Sequence, residues 1–280
     1  MSDYRIDHLL KQTTEQLKDS ATARLDVEIL LCHVLGKDRS FLFTWPEYEL
    51  NEQQLSDFRR LVTERIKGTP VAYLTGARDF WTLKLSVSPA TLIPRPDTEL
   101  LVEQALAKPL PDNARVADLG TGTGAIALAL ASEKQRWAVT GVDKFEDAVT
   151  LAERNALKNR ITNAVFSQGS WCASLPGDHF HMIVSNPPYI CSDDEHLSQG
   201  DVRFEPETAL ASGADGLDDI RIIIQQATTK LVNGGWLLLE HGYHQAESIR
   251  QLMGNAGFDK ISTVQDLSGH DRVTQGQLSN

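Results

Sequence analysis

An α/β fold with a mostly parallel sheet, preceded by a small amino-terminal helical bundle and a hairpin linker, is predicted by three features of the sequence. Asp118-Leu-Gly-Thr-Gly-Thr-Gly124 stands between a short apolar run, Val116 to Leu119, and an alanine-rich run, Ala125 to Ala131. That arrangement is the strand-to-helix turn of a βαβ unit. A second apolar run, Met182 to Ser185, reads as a buried strand and ends abruptly at Asn186-Pro-Pro-Tyr189. Near the amino terminus, Leu55, Phe58, Val62 and Ile66 recur at helical spacing. The predicted partition is residues 1–77 for the bundle, 78–96 for the hairpin and linker, and 97–280 for the α/β domain.

Taken in chain order, Leu25, Ile29, Val34 and Leu35 suggest a helix that stops at Gly36. Phe41, Phe43 and Trp45 fall in the loop after it, where they pack underneath or anchor a partner. Asn51 with Gln54 three residues on makes a capping box, and Gly68 ends the helix that follows. Phe80 to Val87 alternates weakly, as in a strand or hairpin, and Pro89 to Pro96 is a stiff connector. Arg95 sits between two prolines, and Asp97 is placed to cap the next helix. Trp137 to Val142 reads as a second parallel strand and Ala164 to Gln168 as a third. Cys191 to Leu210 is polar and irregular, long enough for a lid. A helix from about Asp218 to Leu231 leads into a strand at Gly235 to Glu240. No internal repeat or low-complexity tract is present.

The glycines let a ligand approach the backbone closely, and the helix start exposes unpaired N–H groups that suit an anionic group. Asp143, closing the second strand, is placed to accept from ribose hydroxyls. Gly120-x-Gly-x-x-Ala125 also satisfies the dinucleotide pattern loosely, so the loop alone does not separate a nicotinamide cofactor from S-adenosyl-L-methionine. The Asn-Pro-Pro-Tyr segment does. An amide or exocyclic amino nitrogen is a poor nucleophile, because its lone pair is delocalised. An enzyme that uses it must hold both N–H groups and leave the lone pair facing an electrophile. The Asn186 side-chain oxygen and the Pro187 carbonyl are two acceptors, Pro187 and Pro188 stiffen the backbone, and Tyr189 offers a flat surface. Trp171, just after the third strand, reads either as core or as a wall of an adenine pocket. His179, His181, His241 and His244 are metal-capable but lack a convincing set of further ligands, so no metal is expected.

A chain of 280 residues carrying a net charge of −11 and no long basic run is a poor nonspecific ligand for nucleic acid. No stretch is long and apolar enough to span a membrane, and the first twenty or so residues are too charged for a secretory signal. Cys32, Cys172 and Cys191 are not in metal-ligand spacing, so a reducing cytoplasm is expected.

With Gly68-Thr-Pro-Val-Ala-Tyr-Leu-Thr-Gly76, Leu92-Ile-Pro-Arg-Pro-Asp-Thr-Glu99, Asp201-Val-Arg-Phe-Glu-Pro206 and Leu239-Glu-His-Gly242, the glycine loop and the clamp resemble the HemK-type peptide chain release factor glutamine methyltransferases over nearly the whole chain. The resemblance implies a Rossmann-like class I methyltransferase domain that uses S-adenosyl-L-methionine. It implies methylation of the glutamine side-chain nitrogen in the Gly-Gly-Gln loop of class 1 bacterial release factors, with the amino-terminal domain helping to recognise the factor. It implies that Gly120, Thr121, Gly122, Thr123, Gly124, Asp143, Trp171 and Asn186 bind the cofactor, and that Asn186, Pro187, Pro188 and Tyr189 hold the glutamine. Arg95 either sets linker geometry or, by the family motif, shapes the entrance. Two positions depart from the family: Ser170 replaces the usual acid before Trp171, which bears on a carboxylate contact to the adenine amino group, and His181 replaces an acid in the strand before the clamp. The protein is expected to act as a monomer, with no direct contact to nucleic acid. A DNA adenine methyltransferase using the same clamp on a flipped base, a nicotinamide-dependent oxidoreductase, and an inactive release-factor-binding regulator are the alternatives.

Overall fold

The computed structural model describes residues 4–177 and 179–279. They form two compact units, one through Ala77 and one from Arg78 on.

In the first unit, α1 (Ile6–Gln16), α2 (Ala23–Leu35), α3 (Arg39–Thr44), α4 (Glu52–Ile66) and α5 (Val71–Thr75) pack around Ile6, Leu10, Leu30, Leu31 and Phe58. The capping box forms as the spacing predicts: Gln54 N donates to Asn51 Oδ1 at 2.9 Å and Asn51 N to Gln54 Oε1 at 3.0 Å. Ile66, expected on the buried face of α4, is 55% exposed. It is the last helical residue, and Leu61 takes the inward place instead. The buried face of α2 also differs from expectation. Leu25 is exposed, whereas Val27, Leu30 and Leu31 are buried together with Asp26 and Glu28. Asp26 accepts from Arg65 Nε at 2.8 Å, and Glu28 from Arg24 Nε at 2.7 Å and Arg39 Nη2 at 2.6 Å. Two acids can enter the interior because they arrive paired, and a count of apolar residues alone misplaces such a face. Gly36 closes α2 in the left-handed conformation. The expected loop after α2 is instead the short helix α3, which carries Phe41 and Phe43 and ends at Trp45. Phe41 packs against the core edge beside buried Leu42, whereas Phe43 and Trp45 are exposed.

Starting at the boundary, β1 (Ala77–Phe80) and β2 (Leu83–Ser86) form the expected hairpin. Phe80, Leu83 and Leu85 join Leu101 and Val102 of α6 (Glu99–Leu106) in one core. Asp97 does not cap that helix. A 3-10 turn, Pro96–Thr98, runs straight into α6, so the residue before it already has helical angles, and a side-chain cap needs an extended residue there.

The sheet contains β3 (Arg115–Leu119), β4 (Ala138–Asp143), β5 (Ala164–Gln168), β6 (Phe180–Ser185), β7 (Leu231–Glu240), β8 (Phe258–Gln265) and β9 (Asp271–Leu278), in the order β5-β4-β3-β6-β7-β9-β8. All pairings are parallel except those of β9. Helices α7 (Ala125–Glu133), α8 (Glu146–Lys158), α9 (Asp218–Ala227) and α10 (Ala246–Asn255) complete the unit. Both faces of the sheet are buried. Val116, Met182 and Leu238 pack on one side with α7, and Ala117, Ile183 and Leu237 on the other with α9, which is why these strands read as continuous apolar runs. β7 begins four residues before the expected Gly235. Leu231 pairs with Phe180 and Trp236 with Met182, and the extra residues between them form an irregularity containing left-handed Gly234. After β3 the chain adds β4 and β5 on one side and then returns to β6 on the other. The carboxyl ends of β3 and β6, paired at Leu119 and Ser185, therefore flank the point where open α/β sheets form their crevice.

Candidate active site

The glycine loop leaves β3 and is tied at once to β4: Gly120 N and Thr121 N both donate to Val142 O, at 2.8 and 3.0 Å. Gly120 has a φ of 69°, and a Cβ there would lie 3.2 Å from the Trp171 ring. The aromatic wall and the loop can thus meet only because the residue is glycine. Gly124, with φ 81°, starts α7 below the loop, where a Cβ would press on Ala152 and Leu128 at 3.1 Å. Its place is under the crevice, whereas Gly120, Thr121, Gly122 and Thr123 line it.

Asp143 ends β4, as its position in the sequence suggests. Its Oδ2 accepts from Gly122 N at 2.9 Å and its Oδ1 from Phe145 N at 3.0 Å. It therefore shapes the glycine loop while both oxygens keep a lone pair for a ligand hydroxyl. Burial raises its carboxyl, against these two hydrogen bonds. Trp171 opens a 3-10 turn after β5 at a φ of 48°. Ser170 before it is exposed at the rim, its N–H donating to Ser174 Oγ at 2.8 Å. His181 accepts from Arg115 N at 3.0 Å through Nδ1, a role on the strand surface. His241 is buried between Thr274 Oγ1 and Gly242 O, at 2.7 and 2.9 Å. Among the described residues no group of three or more acidic, histidine or cysteine side chains is arranged to hold a metal.

A cavity of about 600 Å³ is lined by the glycine loop, Asp143, Phe145, Trp171, Asn186 and Pro188. Its glycine cradle, the Asp143 carboxylate and two aromatic walls fit a nucleoside-bearing cofactor with an anionic end. Beside it is a smaller cavity of about 180 Å³, lined by Pro187, Tyr189, Ile190, Val202 and Leu210. Leu92, Arg95, Asn186 and Ala209 line both. The two spaces therefore meet at the asparagine of the clamp.

Each member of the clamp is held. Asn186 Nδ2 donates to Thr98 Oγ1 at 3.1 Å. Tyr189 N donates to Leu210 O at 3.1 Å, and Tyr189 O accepts from Gln245 Nε2 at 2.9 Å. Burial, with the nearby Glu240 charge, holds the Tyr189 phenol above its ordinary value. Burial likewise pushes Glu240 up to about 7, against hydrogen bonding from Thr98 and the nearby Arg272 charge. The segment after the clamp is not a loose flap. It contains 3-10 turns at Glu195–Ser198, Val202–Phe204 and Glu207–Ala209, and Glu205, its side chain wholly buried, takes Ile93 N at 3.2 Å and the Arg95 guanidinium. Arg95, held by Glu205, thus lines both cavities.

Thr98, Glu240 and Phe145 were not singled out by the sequence reading. Thr98 and Glu240 lie within two of the motif segments, but neither type announces a role until the strand ends are brought together.

The PrmC N-terminal domain model matches residues 8–76, and the methyltransferase small domain model matches residues 96–201. A release factor glutamine methyltransferase of Pseudomonas aeruginosa is 55% identical over 96% of this chain and 97% of its own length. A protein of the same name from Vibrio cholerae is 52% identical over 97% of this chain and 96% of its own. Among solved structures, a methyltransferase from Pyrococcus furiosus has a TM-score of 0.54 at 16% identity, covering 71% of this chain and 90% of that one, a likeness of fold.

Proposed function

The chain belongs to the family of release factor glutamine methyltransferases, and from that premise we propose how its residues perform the transfer of a methyl group to a release factor glutamine. The cofactor is S-adenosyl-L-methionine, which when bound supplies an electrophilic methyl group. Gly120 to Thr123 would receive its anionic end, Asp143 its ribose, and Trp171 with Phe145 its base; the larger cavity's size and lining support this assignment. With Ser170 at the rim there is no carboxylate at that position for the adenine amino group.

The acceptor is the side-chain amide nitrogen of the glutamine in the Gly-Gly-Gln motif of class 1 peptide chain release factors, so the reaction modulates translation termination. The glutamine enters the smaller cavity against Tyr189. Asn186 Oδ1 and the Pro187 carbonyl accept its two N–H groups, and Pro187 and Pro188 keep these acceptors rigid. Holding both N–H groups directs the nitrogen lone pair out of the clamp towards the larger cavity. With the methyl group on its nitrogen the amide would carry the positive charge that the donor, left as a neutral thioether, gives up; such a cationic N-protonated amide is strongly acidic, so its proton is lost to water without a strong base. Catalysis then rests on orientation and preorganised acceptors. The observation that carries this reading is that Asn186 lines both cavities.

The helical unit recognises the release factor, a role supported by exposed Phe43 and Trp45. The enzyme works as a single chain in the cytoplasm, consistent with three unpaired cysteines and with no described helix being long and apolar enough to cross a membrane.

Mass spectrometry tests the reaction. A class 1 release factor incubated with the enzyme and S-adenosyl-L-methionine should gain one methyl on the Gly-Gly-Gln glutamine, while duplex DNA treated in parallel gains none. Asn186→Ala should lower turnover by at least ~100-fold while changing cofactor affinity far less. Methyl on adenine, or an unchanged rate in the variant, would remove the clamp from this substrate.

A further inference from the structure

A glutamine amide brings a carbonyl oxygen into the smaller cavity as well as two N–H groups. Asn186 and the Pro187 carbonyl serve the N–H groups. The oxygen, taken out of water, needs a donor of its own.

Most donors lining that cavity are already used. Pro187 has no N–H, and the N–H groups of Tyr189, Ile190, Ala209 and Leu210 all donate to main-chain carbonyls. Asn186 Nδ2 donates to Thr98 Oγ1 at 3.1 Å. The Tyr189 ring, laid flat against the amide, holds its hydroxyl outside the amide plane that contains the carbonyl lone pairs. Arg95 differs from all of these. It is the one charged side chain in the lining, it is 35% exposed, and among the described residues its hydrogen-bonded nitrogen is Nη2, to Glu205. Nε and Nη1 therefore keep N–H groups for a ligand.

A guanidinium in this place meets an obstacle. Arg95 also lines the larger cavity, near the junction where a sulfonium cofactor has to bring its methyl group, and two cations repel. Glu205 removes the obstacle. Its side chain is wholly buried; Oε1 takes the Arg95 guanidinium, and Oε2 accepts from Ile93 N at 3.2 Å. The carboxylate fixes the guanidinium and balances its charge where the two cavities join.

We propose that Arg95 recognises the acceptor: its guanidinium donates to the side-chain carbonyl oxygen of the glutamine, and Glu205 is the positioning residue and counter-ion that allows a cation to do so beside a sulfonium. This rests on the reading of Asn186 and Pro187 as acceptors of the amide N–H groups. It adds a third contact that makes the site specific for a carboxamide, since a lysine ammonium offers no acceptor and a glutamate carboxylate no N–H. A donor on the oxygen draws the nitrogen lone pair further into the amide, so the contact strengthens binding and does not speed the transfer.

The test uses the full chain with a class 1 release factor at about pH 8, well above the carboxylate range. In Arg95→Ala, KM for the factor should rise ~10- to 100-fold, the loss expected of a hydrogen bond from a charged donor, while kcat changes by less than about three-fold. Arg95→Lys keeps the charge without the fork and should recover only part of the affinity. In Glu205→Gln, calorimetric affinity for S-adenosyl-L-methionine should fall at least ~5-fold, whereas affinity for the demethylated product S-adenosyl-L-homocysteine, neutral at sulfur, stays within about two-fold. Removing the cation as well, in the Arg95→Ala/Glu205→Gln double variant, should bring the S-adenosyl-L-methionine affinity back. Equal weakening of both ligands with no rescue would overturn the counter-ion role. An unchanged KM in Arg95→Ala, while Asn186→Ala is inactive, would leave the oxygen to the second Asn186 Nδ2 proton and overturn the recognition role with the clamp still standing. Full activity in Asn186→Ala would instead overturn the clamp. Should Glu205→Gln not fold, the KM of Arg95→Ala decides.

Discussion

Asp118 is wholly buried beneath the glycine loop, where its Oδ2 accepts from Thr121 Oγ1 at 2.6 Å and from Ala127 N at 3.1 Å, while Oδ1 has no hydrogen-bond partner. Burial pushes its carboxyl from an ordinary 3.8 up to about 7, and the Asp143 charge adds to the rise. The sign of the resulting pH dependence follows from proton binding. Between the two values the folded chain holds a proton that the unfolded chain releases, so this group's contribution to stability is greatest below about 4 and is lost as pH rises towards 7. Asp118→Asn removes that loss. The urea midpoint of the variant relative to the parent should therefore increase from pH 5 to pH 7.5, and a difference independent of pH would show that Asp118 is ionised throughout. Glu240 shifts with the same sign, so a residual slope should persist in the variant.

At the scale of elements, α8 supports the site through Asn155, which is wholly buried. Its Nδ2 donates to Ser86 O at 3.0 Å and to Thr123 O at 2.9 Å, and its Oδ1 accepts from Ser86 N at 2.7 Å. One side chain therefore joins the end of β2 to the glycine loop. Asn155→Ala leaves those backbone groups without partners in the interior, at a cost of about 2 kcal/mol or more. It should lower the thermal midpoint and also weaken S-adenosyl-L-methionine binding by roughly ten-fold, because Thr123 loses its tether. Lower stability with unchanged affinity would confine Asn155 to the hairpin. The Asn51 cap of α4 is a contrasting case: its partner Gln54 lies three residues away, so the contact is visible in the sequence. Asn155 contacts Ser86 from 69 positions away, and no local pattern marks it.

For the whole molecule, the boundary at Ala77 and Arg78 separates a helical unit from one that contains every residue of the two cavities. A fragment of residues 78–280 should bind S-adenosyl-L-methionine within a few-fold of the full chain by calorimetry, yet methylate an intact release factor with a KM raised at least ~10-fold, reflecting lost contact surface. Equal KM in fragment and full chain would place recognition wholly in the α/β unit. The molecular charge of −11 bears on this scale alone: it disfavours nonspecific adhesion to nucleic acid and leaves recognition to shape and local chemistry.

Local chemistry by itself determined the glycine loop between β3 and α7, the acid ending β4, the clamp after β6 and the capping box of α4, because each depends on neighbours in sequence or on a strand-to-helix turn. The buried face of α2, the absence of an Asp97 cap and the early start of β7 were decided by contacts that sequence does not order: Asp26 and Glu28 paired with arginines, a 3-10 turn fused to α6, and an irregular register against β6. The site divides in the same way. Asn186 and Tyr189 are legible as the proposed acceptor and wall, but the Thr98 hydroxyl that holds the Asn186 amide is remote in the chain and comes beside it only in the packed structure. Sequence names the groups proposed to meet the substrate, and the direction in which they point is a property of the tertiary packing behind them.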